Sequence, residues 1–122
     1  MSDFSLKKLP QNADTRGVLT VLEKDMPFPV VRTFWISSKE GAMRGGHRHH
    51  RTRQALVAVH GEVEVYMNDG RHEKTFTLDN DGLMLVVEPE DWHTMKFQPG
   101  AVLLVMASHV FDPDDYIAVK HA

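Results

Sequence analysis

Cysteine is absent from all 122 residues, which excludes disulfides, thiolate metal centres and a thiol nucleophile. No apolar run approaches the roughly 18 residues of a membrane span. The opening MSDFSLKKLPQ lacks the apolar stretch of a secretory leader, so a cytoplasmic protein away from membranes is expected. An excess of one charge is missing too. With 14 basic and 17 acidic residues the net charge is −3, which offers no global attraction to nucleic acid. Internal repeats, low-complexity tracts and a visible linker are all lacking, and sustained helical periodicity is lacking up to the closing DPDDYIAVKHA. There Asp112 is placed to cap a short helix. The expected organisation is one domain over residues 1–122.

What is present is a series of short apolar runs. RGVLTVLE, VVRTFWI, QALVAVHGEVEVYM, KTFTL, GLMLVVE, TMKFQ and AVLLVMA are rich in Val, Leu, Phe and Thr and are bounded by Gly, Pro, Asn or Asp, as strands are. Asp69-Gly70 between two such runs marks a hairpin. Gly61 inside an alternating run marks a bulge or sharp bend. Strands at this spacing predict a small all-β sandwich or barrel.

The chemistry concentrates in MRGGHRHHRTRQ, where His47, His49 and His50 stand among Arg44, Arg48, Arg51 and Arg53. Three readings compete: a metal site, an acid–base site, or a charged surface loop. On a strand, His47 and His49 project to one face, while Arg48 and His50 point to the other. Downstream, EPEDWHTM brings His93 after a proline-led turn. Arg51 and Arg53 read as a solvated edge, and His60, His72 and His121 as partly exposed polar residues. Met43, Met84, Met95 and Met106 read as core or pocket filling. Trp92 reads either as a stacking surface for a base or sugar or as a packing residue.

The layout Gly46-His47-x-His49-x4-Gln54-x6-Gly61, followed by Pro89-x3-His93, resembles the two motifs of the cupin superfamily. That resemblance implies a small jelly-roll β-barrel. In metal-binding cupins the ligand set is His-x-His, a Glu and a later His. Here the Glu position is Gln54, a neutral amide that brings no charge to offset a divalent cation.

Several segments together resemble one cupin family in particular, the sugar 3,4-ketoisomerases acting on dTDP-4-keto-6-deoxyglucose. They are RGVLTVLE, MPFPVVRTFWI, RGGHRHH with Gln54, VEPEDWHTM, and above all the long VLLVMASHVFDPDDYI. The resemblance implies metal-free isomerisation with no cofactor, in which a carbonyl moves from C4 to C3 through an enediol or enediolate. It further implies a homodimer and a product that feeds an aminotransferase and then a cell-surface glycan. Such chemistry needs a base poised near neutral pH, a proton donor, and positive charge beside the oxyanion. His49 and then His47 are the expected base and relay. Arg44, Arg16, Arg32, Gln54, Trp35 and His93 are the expected substrate contacts. Arg44 would grip a diphosphate or stabilise the enolate, and Arg16 and Arg32 would bind the diphosphate.

Two departures stand out. Where the family commonly carries Tyr-Tyr, this chain has Phe34 and Trp35, and Arg48 and His50 replace smaller or differently charged residues. Water, His50 or Tyr116 would then have to supply a proton. A metal-dependent cupin acting on another small substrate, a sugar-nucleotide binding module without catalysis, and an epimerase of the same sugars remain as alternatives. The terminal Asp112, Asp114, Asp115 and Tyr116 read as a structural closing element.

Overall fold

The computed structural model describes residues 4–24 and 26–120; His121 lies outside them. The strands are β1 (Ser5–Lys8), β2 (Gln11–Asp14), β3 (Gly17–Thr20), β4 (Arg32–Ser38), β5 (Ala42–His49), β6 (Gln54–His60), β7 (Val63–Asn68), β8 (Glu73–Leu78), β9 (Leu83–Val87), β10 (Trp92–Phe97), β11 (Ala101–Ala107) and β12 (Tyr116–Ile117). One five-stranded sheet runs β1-β9-β6-β11-β4 and the other β12-β5-β10-β7-β8, while β2 and β3 form a separate hairpin. Every pairing is antiparallel. The all-β jelly roll expected from the sequence is therefore present. Among the described residues it takes the form of two facing sheets, without a hydrogen-bonded closure into a barrel.

The core lies between the sheets. Leu56, Leu85, Val87, Leu103 and Val105 from the first meet Val63, Val65, Met67, Phe76, Leu78, Met95 and Phe97 from the second. β7 alternates buried and half-buried residues, the period of a strand with one solvated face. By contrast, β6 is buried at five successive positions, because the outer face of its sheet carries a second cluster. There Ala55, Val57, Met84, Val86 and Met106 pack beneath Leu22, Met26 and Phe28. Arg53 anchors that cover. Its guanidinium grips Glu88 at 2.6 and 3.0 Å, donates to the Pro27 carbonyl at 2.8 Å, and lies 5.4 Å from the Phe28 ring centroid. The solvated edge expected there is instead a half-buried clamp, since a planar five-donor fork can bind a carboxylate and a carbonyl together.

Other local expectations can be placed. The Asp69-Gly70 turn joins β7 to β8: the Asn68 side chain accepts from Gly70 N, and Asp69 accepts from Arg71 N and His72 N. At Gly61 the chain takes φ +72°, and the β11–β6 register shifts between Val102 and Leu103. The terminal helix is a single 3-10 turn, Pro113–Asp115, with the Asp112 side chain accepting from Asp114 N. Met84, Met95 and Met106 are buried, but Met43 is exposed on β5. Among the described residues no helix is long and apolar enough to cross a membrane.

Candidate active site

A cavity of about 570 Å³ opens at one end of the sandwich, a size suited to a small organic ligand. Its floor is Ile36, Met95 and Val105, and its polar wall is Arg32, Arg44, His47, Gln54 and His93. The local sequence explains how β5 contributes to it. Arg44 and His47 are three residues apart, a spacing that would put them on opposite faces of a regular strand. Yet Arg44 pairs with Met95 and His47 with His93, because the β10–β5 register shifts between His93 and Thr94. Gly45 and Gly46, at φ +85° and +81°, form this bulge. A side chain on Gly45 would meet the His93 carbonyl at 2.8 Å and Thr94 Cα at 3.2 Å, whereas one on Gly46 would meet nothing within 4 Å. Gly45→Ala is therefore expected to cost about 1–3 kcal/mol of backbone strain and, by displacing β10, to depress activity. Gly46→Ala, strained without the clash, should cost less in a denaturant titration of both variants.

Beyond the bulge, His47, His49 and His93 cluster. Ring centroids are 5.0 Å apart for His47–His49 and His47–His93, and 6.1 Å for His49–His93. Tyr116 lies against two of them, 4.6 Å from His47 and 4.9 Å from His49. His47 faces the cavity, while His49 sits behind it at 3% exposure. The His93 ring is fully buried, with Nδ1 3.1 Å from the Asp91 carbonyl. A carbonyl only accepts, so Nδ1 carries the hydrogen and Nε2 presents a lone pair to the cluster. That Nε2 and both ring nitrogens of His49 are buried without a hydrogen-bond partner.

Burial keeps all three imidazoles neutral at pH 7. It lowers His47 despite a hydrogen bond from that ring to the backbone of Gly45. Burial, then the neighbouring His47, lowers His49 to about 4, and the carboxylate of Asp115 works in the opposite direction. His93 falls to about 3, again chiefly through burial. Neutral imidazoles can accept protons or bind a metal. The described residues hold no group of three or more His, Asp or Glu arranged for a metal ion, and Gln54 in the fourth position is uncharged.

Arg32 lies 4.3 Å from the Phe34 ring centroid and 5.5 Å from that of Phe111. Neither Arg32 nor Arg44 has an ion-pair partner among the described residues.

The family described as "FdtA: WxcM-like, C-terminal" matches residues 2–121. This chain belongs to that family. It is 37% identical over 108 residues to the TDP-4-oxo-6-deoxy-alpha-D-glucose-3,4-oxoisomerase of Aneurinibacillus thermoaerophilus, covering 85% of this chain and 78% of that one. The crystal structure of a 3,4-ketoisomerase from Helicobacter canadensis superposes with a TM-score of 0.90 at 32% identity, covering 98% of this chain and 92% of the other. A histidine-to-asparagine variant of the 3,4-ketoisomerase QdtA from Thermoanaerobacterium thermosaccharolyticum, solved with TDP-4-keto-6-deoxyglucose, gives a TM-score of 0.89 at 32% identity, with coverage of 98% and 89%.

The fold gathers most of the family member's expected site, though not all of it. Arg44, Arg32, Gln54, His47 and His93 line one cavity, with His49 directly behind. Arg16 does not join them. It sits in the turn between β2 and β3, 2.6 Å from Asp14, beside a separate shallow depression. Trp35 stands at the cavity edge, but its side chain is 68% exposed. It alternates with Arg32, Phe34 and Ile36, the half-buried positions of β4, and Phe34 borders the same cavity. Trp92 packs beside Tyr66 and donates to the Ala118 carbonyl, away from the cavity. Phe111 had no site role in the sequence reading, and Tyr116 entered it only as one candidate proton donor; both line the cavity. Their only signal was membership of the long terminal motif.

Proposed function

We propose that this chain is a sugar-nucleotide 3,4-ketoisomerase. It moves the carbonyl of a dTDP-4-keto-6-deoxyhexose from C4 to C3. The observation that carries the assignment of roles is His49: a neutral, buried imidazole whose two nitrogens lack partners, beside a cavity holding two cations. Buried polar atoms are satisfied in almost all folded proteins, so such a group is one that a ligand completes.

In the proposed reaction His49 removes the proton from C3, and the electron pair forms the C3–C4 double bond while O4 takes the negative charge. Arg44, on the same face as His47, stabilises that enediolate. A proton passes from O3 to O4, C4 takes a proton relayed through His47, and the carbonyl stands at C3. Arg32, between two aromatic rings, binds the diphosphate in the bidentate manner open to guanidinium. Asp115 favours the imidazolium formed in the first step, which distinguishes His49 from the other two histidines. In this reading the enzyme works in the cytoplasm, and its product feeds an aminotransferase on a route to a cell-surface glycan.

A homodimer is part of the same reading, supported by the exposed apolar side chains of Val18, Leu19 and Trp35; sedimentation velocity tests it. For the activity, the test is incubation with the 13C-labelled substrate after EDTA treatment. The carbonyl resonance is expected to move from C4 to C3. A resonance that stays at C4 would overturn the proposal.

A further inference from the structure

The terminal segment does more than close the fold. Asp115 is 4% exposed and lies where the chain returns to the end of β5. Its carboxylate accepts from Arg51 N at 2.9 Å, from Thr52 N at 3.2 Å and from the Thr52 hydroxyl. Its own carbonyl accepts from His50 N at 2.9 Å. One residue pins the whole turn that follows His49. The neighbouring residues repeat the attachment. Tyr116 pairs with His49 and Ile117 with Arg48, Arg48 Nε donates to the Val119 carbonyl, and Arg51 bridges Asp112 at 2.8 Å. As a result Tyr116 covers both His47 and His49. Of the two tyrosines in the chain, it is the one that lines the cavity.

Resting on the isomerase reading above, we infer that Asp115 is a positioning residue for the reaction: through the turn of residues 50–52 it holds His49 and the Tyr116 ring in register, and its charge faces the imidazole that takes the proton. The groups facing His49 are His47 on its own strand, His93 from β10, and Asp115 and Tyr116 from the terminal segment. Asp115 is the carboxylate among them. Burial alone would raise its own pKa, but the hydrogen bonds from Thr52 and Arg51 and the neighbouring His49 hold it below the usual carboxylate value. It is therefore charged throughout the range in which the enzyme would work. The acidic residue of the FDPDDYI segment thus acts through its neighbour without touching substrate.

Asp115→Asn keeps the shape and removes the charge. The expected result is a kcat about 10- to 100-fold lower with KM little changed. The acid limb of the kcat–pH profile should move to lower pH, since losing a nearby negative charge disfavours the imidazolium. A purely structural role would lower the melting temperature and leave that limb in place; this outcome would overturn the inference. NMR titration of His49 in the same variant, without substrate, reads the coupling independently of activity. A midpoint below that of the native protein supports the inference even if the isomerase reading fails, and an unmoved midpoint contradicts it. Should Asp115→Asn not fold, Thr52→Val decides. It removes one donor and keeps the charge, so kcat is expected to fall several-fold with the His49 midpoint unmoved, and native kcat would contradict the positioning role.

Discussion

Replacing His49 with asparagine is expected to lower kcat by about 10²- to 10⁴-fold, the usual contribution of a positioned general base, while substrate binding is nearly retained. The side chain is 3% exposed and lies behind His47 and Tyr116, so it adds little contact area to a bound sugar nucleotide. Asparagine fills most of the space but cannot accept the C3 proton at neutral pH. His47→Asn should behave differently. His47 lines the cavity, so its loss weakens binding as well as relay, and KM rises along with the fall in kcat. Single-turnover kinetics on the two variants separate these effects. A His49→Asn enzyme with near-native kcat, beside an inactive His47→Asn, would reverse the assignment of base and relay.

Stability is expected to fall steeply on mild acidification. The folded protein keeps His49 and His93 neutral down to about 4 and about 3, from an ordinary value of 6.5, because both rings are buried. Above 6.5 neither the folded nor the unfolded chain holds the extra protons, and pH has no effect through these groups. Below it the unfolded chain takes up a proton at each histidine that the folded chain refuses. Each therefore removes about 1.4 kcal/mol per pH unit until its folded value is reached. By about pH 5 the two together should cost about 4 kcal/mol, a large part of the 5–15 kcal/mol typical of a domain. His47, lowered in the same direction, adds to the trend. Asp115, held low, contributes a loss of the same sign only below the usual carboxylate range. Urea titrations at neutral pH and near pH 5 measure this directly. A midpoint independent of pH over that interval would mean that the three rings are not buried as neutral groups.

The strands of the core were legible because the alternation of apolar residues has a short period that survives in the sequence. KTFTL, GLMLVVE and AVLLVMA became β8, β9 and β11. β1 and β2 were missed, since SLKK and QNAD are polar and owe their pairing to Met84, Leu85 and the β3 hairpin rather than to their own pattern. The pair His47 and His49 was visible through its i, i+2 spacing and His93 through the motif. Arg44 reached the same face only by way of the Gly45-Gly46 bulge, a backbone feature that the alternation rule alone would misplace. Arg16 was carried by resemblance; it lies in the turn between β2 and β3 beside Asp14 and is not among the residues that line the cavity. Trp35 and Phe34 both border the cavity, and one step along an edge strand decides which is half-buried: here it is Phe34, while Trp35 is largely exposed at the rim. Arg53 stood in a charged run that gave no hint of Glu88, 35 residues later. Tyr116 was legible as part of a motif and as one candidate proton donor, but its packing against His47 and His49 was not, because those contacts are entirely long-range.

The most direct test of the central claim is proton NMR of dTDP-4-keto-6-deoxyglucose in D2O with the EDTA-treated protein, native and His49→Asn side by side. The native enzyme is expected to deplete the C3 proton signal as a 3-keto species appears, and the variant to bind the nucleotide sugar while leaving C3 untouched. Tight binding by the native protein with no loss of the C3 proton would contradict the account and make the chain a binding module. Turnover restored only by an added divalent metal would contradict it as well, and would return the three histidines to metal ligation.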